Sequence, residues 1–102
     1  MAYTVDSNGR AEAPMEVPAS VASGASLDVS KLQGPYEVQF SGIVSSTHTV
    51  ETSHDGVRFD PAATIAANCT VVVYASPRKI RIGTTIYGSG APTAVLATVN
   101  GR

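Results

Sequence analysis

Tyr36, Val38 and Phe40 alternate with Glu37, Gln39 and Ser41. On an extended chain successive side chains point to opposite faces, so this segment has one apolar and one polar face, as a half-buried strand does. The same period of two returns at Leu27 and Val29, set between Asp28 and Ser30. It returns again at Ile80, Ile82, Thr84 and Ile86, with Lys79, Arg81, Thr85 and Tyr87 on the other face. Val, Ile and Thr supply 28 of the 102 residues, against 3 Leu. β-branched side chains favour strands, and the straight-chain residues that favour helices are scarce. No segment carries a helical period, so the chain reads as all-β.

Turn signals divide the strands. The strand from Tyr36 runs on through Ile43 and Val44, past an expected bulge at Gly42. Residues 47–53 (THTVETS) read as a second strand with Val50 on its buried face. Asp55-Gly56 then predicts a hairpin, since glycine accepts positive φ freely. The return strand is expected at Val57–Phe59, with Val57 and Phe59 inward and Arg58 outward. Residues 61–68 read as a connection, with Ile65 at the core edge. Cys69 to Ala75 is a nearly continuous apolar run, which predicts a central strand covered on both faces. Residues 78–87 form the next strand, 88–92 (GSGAP) a loop, and 93–99 the last strand. About seven strands with turns every 8–12 residues predict an antiparallel two-sheet sandwich, jelly-roll or immunoglobulin-like, with a small closed barrel as the alternative.

Residues 1–26 differ. Pro14 and Pro18 interrupt regular structure, Ser7-Asn8-Gly9 signals a turn, and no clean period is present. This stretch cannot build its own core. The predicted organisation is an extended, irregular N-terminal arm over 1–26 and a β-sandwich domain over 27–102. Tyr3, Val5, Met15, Val17 and Val21 punctuate the arm with apolar groups and are its candidate partner contacts. A plain disordered tail is the other reading.

The formal net charge is -1 and 15% of residues are charged. A nucleic-acid binder of this size would carry a basic excess, and a transmembrane helix would need roughly 18 consecutive apolar residues. Neither feature is present, so no nucleic-acid or membrane partner is expected. The first ten residues lack a basic start and an apolar stretch, so no secretory signal is expected. One cysteine forms no internal disulfide, and a chain this small often gains stability by oligomerising.

The chemical signals are thin. Ser53, His54 and Asp55 carry triad letters, but consecutive strand residues point to alternate faces and cannot stack as nucleophile, base and orienter. His48 and His54 lie six apart, roughly 20 Å in an extended strand at about 3.3 Å per residue, too far to share one ion. Both are read as surface histidines. Cys69 reads as a small buried hydrophobe. The glycines at 83, 88 and 90 lack the Gly-Lys-Ser/Thr sequence of a phosphate loop. No catalytic, cofactor-binding or metal-binding residue is assigned. Arg78, Lys79 and Arg81 hold three of the seven basic residues within four positions. They are either a solvated edge that discourages aggregation or a contact for an acidic partner.

Two stretches, YEVQFSGIVSSTHTVETSHDGVRFD (36–60) and KIRIGTTIYGSGAPTAVLATV (79–99), together resemble the small β-sandwich virion proteins of tailed bacteriophages, in particular capsid decoration (cement) proteins. The resemblance spans about residues 27–100. It implies a non-enzymatic structural role: binding the outer surface of an assembled capsid and stapling neighbouring subunits. The implied partners are the major capsid protein and further copies of the chain, as a dimer or trimer. The implied location is the virion exterior, after assembly in the host cytoplasm. The same style of sequence also resembles carbohydrate- or receptor-binding sandwich modules of phage tails and fibres. The absence of Trp speaks against a sugar-stacking platform.

Overall fold

The computed structural model describes residues 4–5, 11–30, 35–73 and 77–98. Their eight strands are β1 (Thr4–Val5), β2 (Ala11–Met15), β3 (Ala22–Ser23), β4 (Leu27–Asp28), β5 (Tyr36–Ser53), β6 (Asp60–Ile65), β7 (Thr70–Val73) and β8 (Lys79–Thr98). All pairings are antiparallel, and no helix occurs among the described residues.

β5 and β8 are the frame. They pair from Tyr36 opposite Thr98 to Ser53 opposite Lys79. At one end β7 flanks β5 along Tyr36–Gln39, and β2 flanks β8 along Ala94–Ala97, with β1 beyond β2. At the other end β6 flanks β5 along His48–Thr52, and β3 and β4 flank β8 along Lys79–Thr84. Between the ends, described residues 41–47 of β5 pair only with β8.

The long strands change direction in that middle stretch. The register shifts between Ser41 and Ile43, twice more by Ser46, and again between Thr47 and His48. Gly42 has φ 74°, and a Cβ there would collide with the Ala91 carbonyl oxygen across the pair. No other residue type meets both conditions. The expected bulge at Gly42 is therefore present, but it bends one 18-residue strand where two strands were expected. The Gly88–Pro92 stretch likewise lies inside β8 and is not a separate loop. The last shift makes Thr85 an extra residue, with His48 facing Thr84 and Thr47 facing Ile86. One extra residue flips every following side chain, so Ile86 leaves the core face and is 62% exposed.

Both ends feed one apolar cluster. Tyr36, Val38, Phe40, Ala94, Leu96, Ala13, Met15 and Val73 come from one end, and Val50, Ile80, Ile82, Leu27 and Val29 from the other. The alternation at 36–40 is realised as read: Tyr36, Val38 and Phe40 are buried and Gln39 is exposed.

Several expectations are corrected. The turn does fall at Asp55-Gly56, where Gly56 has φ 82°. Its return strand, however, starts at Asp60, and Val57 is 84% exposed. The reason is local: Asp55 Oδ1 accepts the Val57 and Arg58 N–H groups, both at 2.8 Å, and holds that backbone in the turn. Residues 60–65, read mainly as connection, are β6. Pro61 is tolerated there because β6 pairs only with β5 among the described residues, and Pro61 sits at the register shift. The 69–75 run is not a central strand. β7 pairs only with β5 among the described residues, Val73 is its one buried residue, and Cys69 is exposed. Tyr74 and Ala75 lie outside the described residues.

The stretch 1–26 also contributes ordered strands. β2 lies along β8 and buries Ala13 and Met15, every second residue. Pro14 fits because, among the described residues, β1 pairs only with Ala11 and Glu12 and β2 has no further partner on that side.

Candidate functional site

The predicted arm contacts separate. Tyr3 lies outside the described residues, and Val5 is placed in β1 by its backbone pairing with Ala11. Met15 is in the core and Val17 packs against it. Among the arm residues with described side chains, Val21 projects, at 69% exposure. Met15 and Val17 are thus engaged within the chain itself.

The basic strand is also partly engaged. β8 pairs Arg81 with Glu51 of β5, so their side chains share a face. Arg81 Nε donates to Glu51 Oε1 at 2.5 Å, and the guanidinium sits 3.9 Å over the Phe59 ring. Each contact is worth about 0.5–1 kcal/mol at a half-exposed site. Arg81 is therefore held flat between an acid and an aromatic ring. Lys79 lays its stem across Gly56, with Cε 3.5 Å from where a Cβ would stand. Arg78 is exposed, while its backbone accepts the Val29 N–H and donates to the Ser53 carbonyl. Asp28 lies near this pair. Its carboxyl is held below its usual range, chiefly by the Ser30 hydroxyl and N–H, with smaller help from Arg78 and Lys79. Arg78 and Lys79 are the charges this strand presents outward.

Among the described residues, two shallow depressions mark the surface. One, of about 220 Å³, lies at the β5–β6 turn and is lined by His54, Asp55, Arg58 and Asp60. The turn below it is tightly built. Ser53 Oγ donates to Asp55 Oδ1 and accepts the Gly56 N–H. With the Arg58 and Val57 N–H groups and the Ser53 hydroxyl all donating to it, the Asp55 carboxyl falls to about 2. Ser53 and Asp55 therefore cap a turn, and His54 is exposed beside them. The other depression, of about 360 Å³, lies among Glu12, Glu37, Gln39, Thr70, Val95 and Ala97, across β2, β8, β5 and β7. No group of three or more His, Cys, Asp and Glu among the described residues is placed to hold a metal ion.

The most organised polar cluster is one that sequence reasoning missed. His48, read as a surface residue, is fully buried. Its ring stacks on Phe40 with centroids 6.2 Å apart and planes 18° apart. Ser46 Oγ lies 2.7 Å from Nε2, and Thr84 Oγ1 lies 2.9 Å from Nδ1. Thr84 gives its hydroxyl proton to the Pro18 carbonyl at 2.7 Å. Its oxygen must then accept from His48, which assigns the ring proton to Nδ1 and makes Nε2 the acceptor of the Ser46 hydroxyl. The chain runs Ser46 to His48 to Thr84 to Pro18, each group donating to or accepting from the next. Desolvation holds the His48 pKa below its ordinary value of 6.5. The serine–histidine contact looks like half a catalytic relay, but Ser46 is buried and lines neither depression. One signal was available: His48 and Ser46 stand two and four residues before the buried Val50, on the same strand face. The chain matches no protein-family model, no curated protein and no solved structure at a significant level.

Proposed function

We propose that this protein is a structural virion component that binds the outside of an assembled bacteriophage capsid and staples neighbouring major capsid subunits. The observation that carries the reading is a set of β-branched side chains held out to solvent: Val44 and Ile86 on β5 and β8, and Val21 and Val57 on the bends beside the strands, are all strongly exposed. Arg78 and Lys79 add a positive edge that suits an acidic capsid surface. Single contacts of this kind are weak, and repetition on a lattice turns them into high avidity. Copies of the chain would assemble there as a dimer or trimer. The fold proposed with it is a two-layer sandwich whose layers are the two ends of β5 and β8, folded over at the bulged middle. Two contacts between the ends support that: Tyr36 Oη donates to the Val29 carbonyl at 3.4 Å, and Phe40 stacks on His48.

Co-sedimentation with purified phage heads from the same source, lacking this protein, is the test. Stoichiometric binding that weakens in the double variant Arg78→Glu, Lys79→Glu is the expected result. Protein that stays in the supernatant at saturating heads would sink the proposal. One observation favours a second reading, a carbohydrate-binding module: the 360 Å³ depression presents Glu37, Gln39 and Thr70 around Val95. Polar groups around a small apolar floor suit a sugar, and specific signal on a glycan array would favour that reading.

A further inference from the structure

We infer that His48 is a pH-sensitive latch that holds the 16–26 segment onto the central strands, and that protonating its ring releases this segment while β5 and β8 stay paired. The inference stands apart from the capsid reading and needs no partner.

The geometry is a closed chain in which each ring nitrogen already has its partner. In the neutral ring, Nδ1–H donates to Thr84 and Nε2 accepts from Ser46. A second proton enters at Nε2. The Ser46 hydroxyl must then rotate to become an acceptor and send its own proton elsewhere. The imidazolium charge would meanwhile sit fully buried. The elements around the ring bring it no counter-charge among the described residues. β5 contributes Ser46 and the Phe40 ring, β8 contributes Thr84, and the crossing segment contributes the Pro18 carbonyl by way of Thr84. Ile65 is the β6 residue in register with His48. Glu16, the acid on the crossing segment, gives its carboxylate to the Ala25 N–H instead. Desolvation lowers the pKa of the ring, and no ion pair among the described residues offsets it.

A buried charge without a partner is relieved by letting water in. The 16–26 segment is where that costs least. β3 has two residues paired to β8, and Ala19–Ser23 are exposed. Three further tethers hold it among the described residues: the Gly24 N–H to the Ile82 carbonyl, the Thr84 hydroxyl to the Pro18 carbonyl, and Val17 against the core. β5 and β8, by contrast, are laddered to each other over nearly their whole length. Opening would free Val17, which is half-buried in the closed form, and uncover the β8 edge at Gly83 and Thr84.

Hydrogen exchange by NMR on the full chain from pH 7.5 to 5, corrected for intrinsic exchange chemistry, tests this. Titration of the His48 ring nitrogens is followed in the same samples. The expected result is loss of Gly24 protection on acidification, by up to about tenfold per pH unit for one linked proton. Its midpoint should track the His48 titration, with the Thr49 and Arg81 amides, which face across the β5–β8 ladder, still protected. His48→Gln should abolish the step, and His54→Asn should leave it in place. Thr84→Val, which cuts the link to Pro18, should leave Gly24 poorly protected at both ends of the range; this arm stands even if the His48 variant does not fold. The inference is overturned if Gly24 protection stays flat. It is equally overturned if Thr49 and Arg81 lose protection in step, or if the step survives in His48→Gln or vanishes in His54→Asn.

Discussion

The two ends of β5 are built on different physics. Tyr36–Phe40 turns Tyr36, Val38 and Phe40 inward, onto Ala13, Met15, Ala94 and Leu96. Ser46–Ser53 buries Ser46, His48, Thr49 and Ser53, with Val50 its one buried aliphatic residue. Burial of apolar area is favourable at every pH and needs no particular partner. Burial of hydroxyls and an imidazole is tolerated only while each hydrogen bond is made. One strand therefore carries an unconditional end and a conditional end, divided at the Gly42 bulge.

The largest effect should come from the unconditional end. Phe40→Ala is expected to lower unfolding free energy by about 3–5 kcal/mol in urea titration, through a cavity beneath β5 and a lost ring under His48. A loss below about 1 kcal/mol would break the comparison, since the apolar end would then not be the anchor. At the conditional end, Thr84→Val keeps the shape but leaves the His48 Nδ1–H and the Pro18 carbonyl without their partner. An orphaned buried group costs about 1–3 kcal/mol, so Thr84→Val, which leaves the buried Nδ1–H and the part-buried Pro18 carbonyl, is expected to cost more than Ser46→Ala, which orphans only Nε2. Equal, negligible losses in both variants would mean that water replaces the hydroxyls and that the end is not dry.

pH sharpens the contrast. The folded pKa of His48 is lowered, so the unfolded chain binds the proton more readily. Stability linked to His48 is fully present above pH 6.5 and falls as pH drops from 6.5 toward the depressed value. Asp55 acts in a separate window. Its pKa goes from 3.8 to about 2, so its contribution is lost only between those values. Melting temperatures followed from pH 7.5 to 2 should show two separate declines, with His48→Gln removing the first and Asp55→Asn reducing the second, to which Asp28 also contributes. A single decline below pH 4 in the unaltered protein would mean that His48 ionises as freely in the folded state as in the unfolded one. The smallest effect is expected at Arg81. Glu51→Gln should cost under about 1 kcal/mol, and less at high salt, because the pair is half-exposed.

The apolar end was legible because its pattern is local. Tyr36, Val38 and Phe40 announce their face within five residues, and Asp55-Gly56 announces its turn within two. The middle was legible only in part. The bulge at Gly42 was expected, but Gly88 and Gly90 read as a loop, and only pairing to a long partner strand shows that they lie inside β8. The conditional end was misread because the one local sign, His48 two residues before Val50 on the same face, does not show whether hydrogen-bond partners will arrive to bury a polar ring. The basic strand was visible as charge, but the engagement of Arg81 depends on Glu51, 30 residues away.

The sequence by itself determined an all-β chain, the inward face of 36–40, and the turn at Asp55-Gly56. These follow from side-chain alternation and backbone preference, which act over a few residues. The tertiary structure decided that β5 and β8 run unbroken through their bends, that β2 joins the sheet, and that His48 goes inside. A polar side chain can be buried only if partners arrive from elsewhere. Here they come from Thr84, 36 residues from His48, and from Pro18, 66 residues from Thr84.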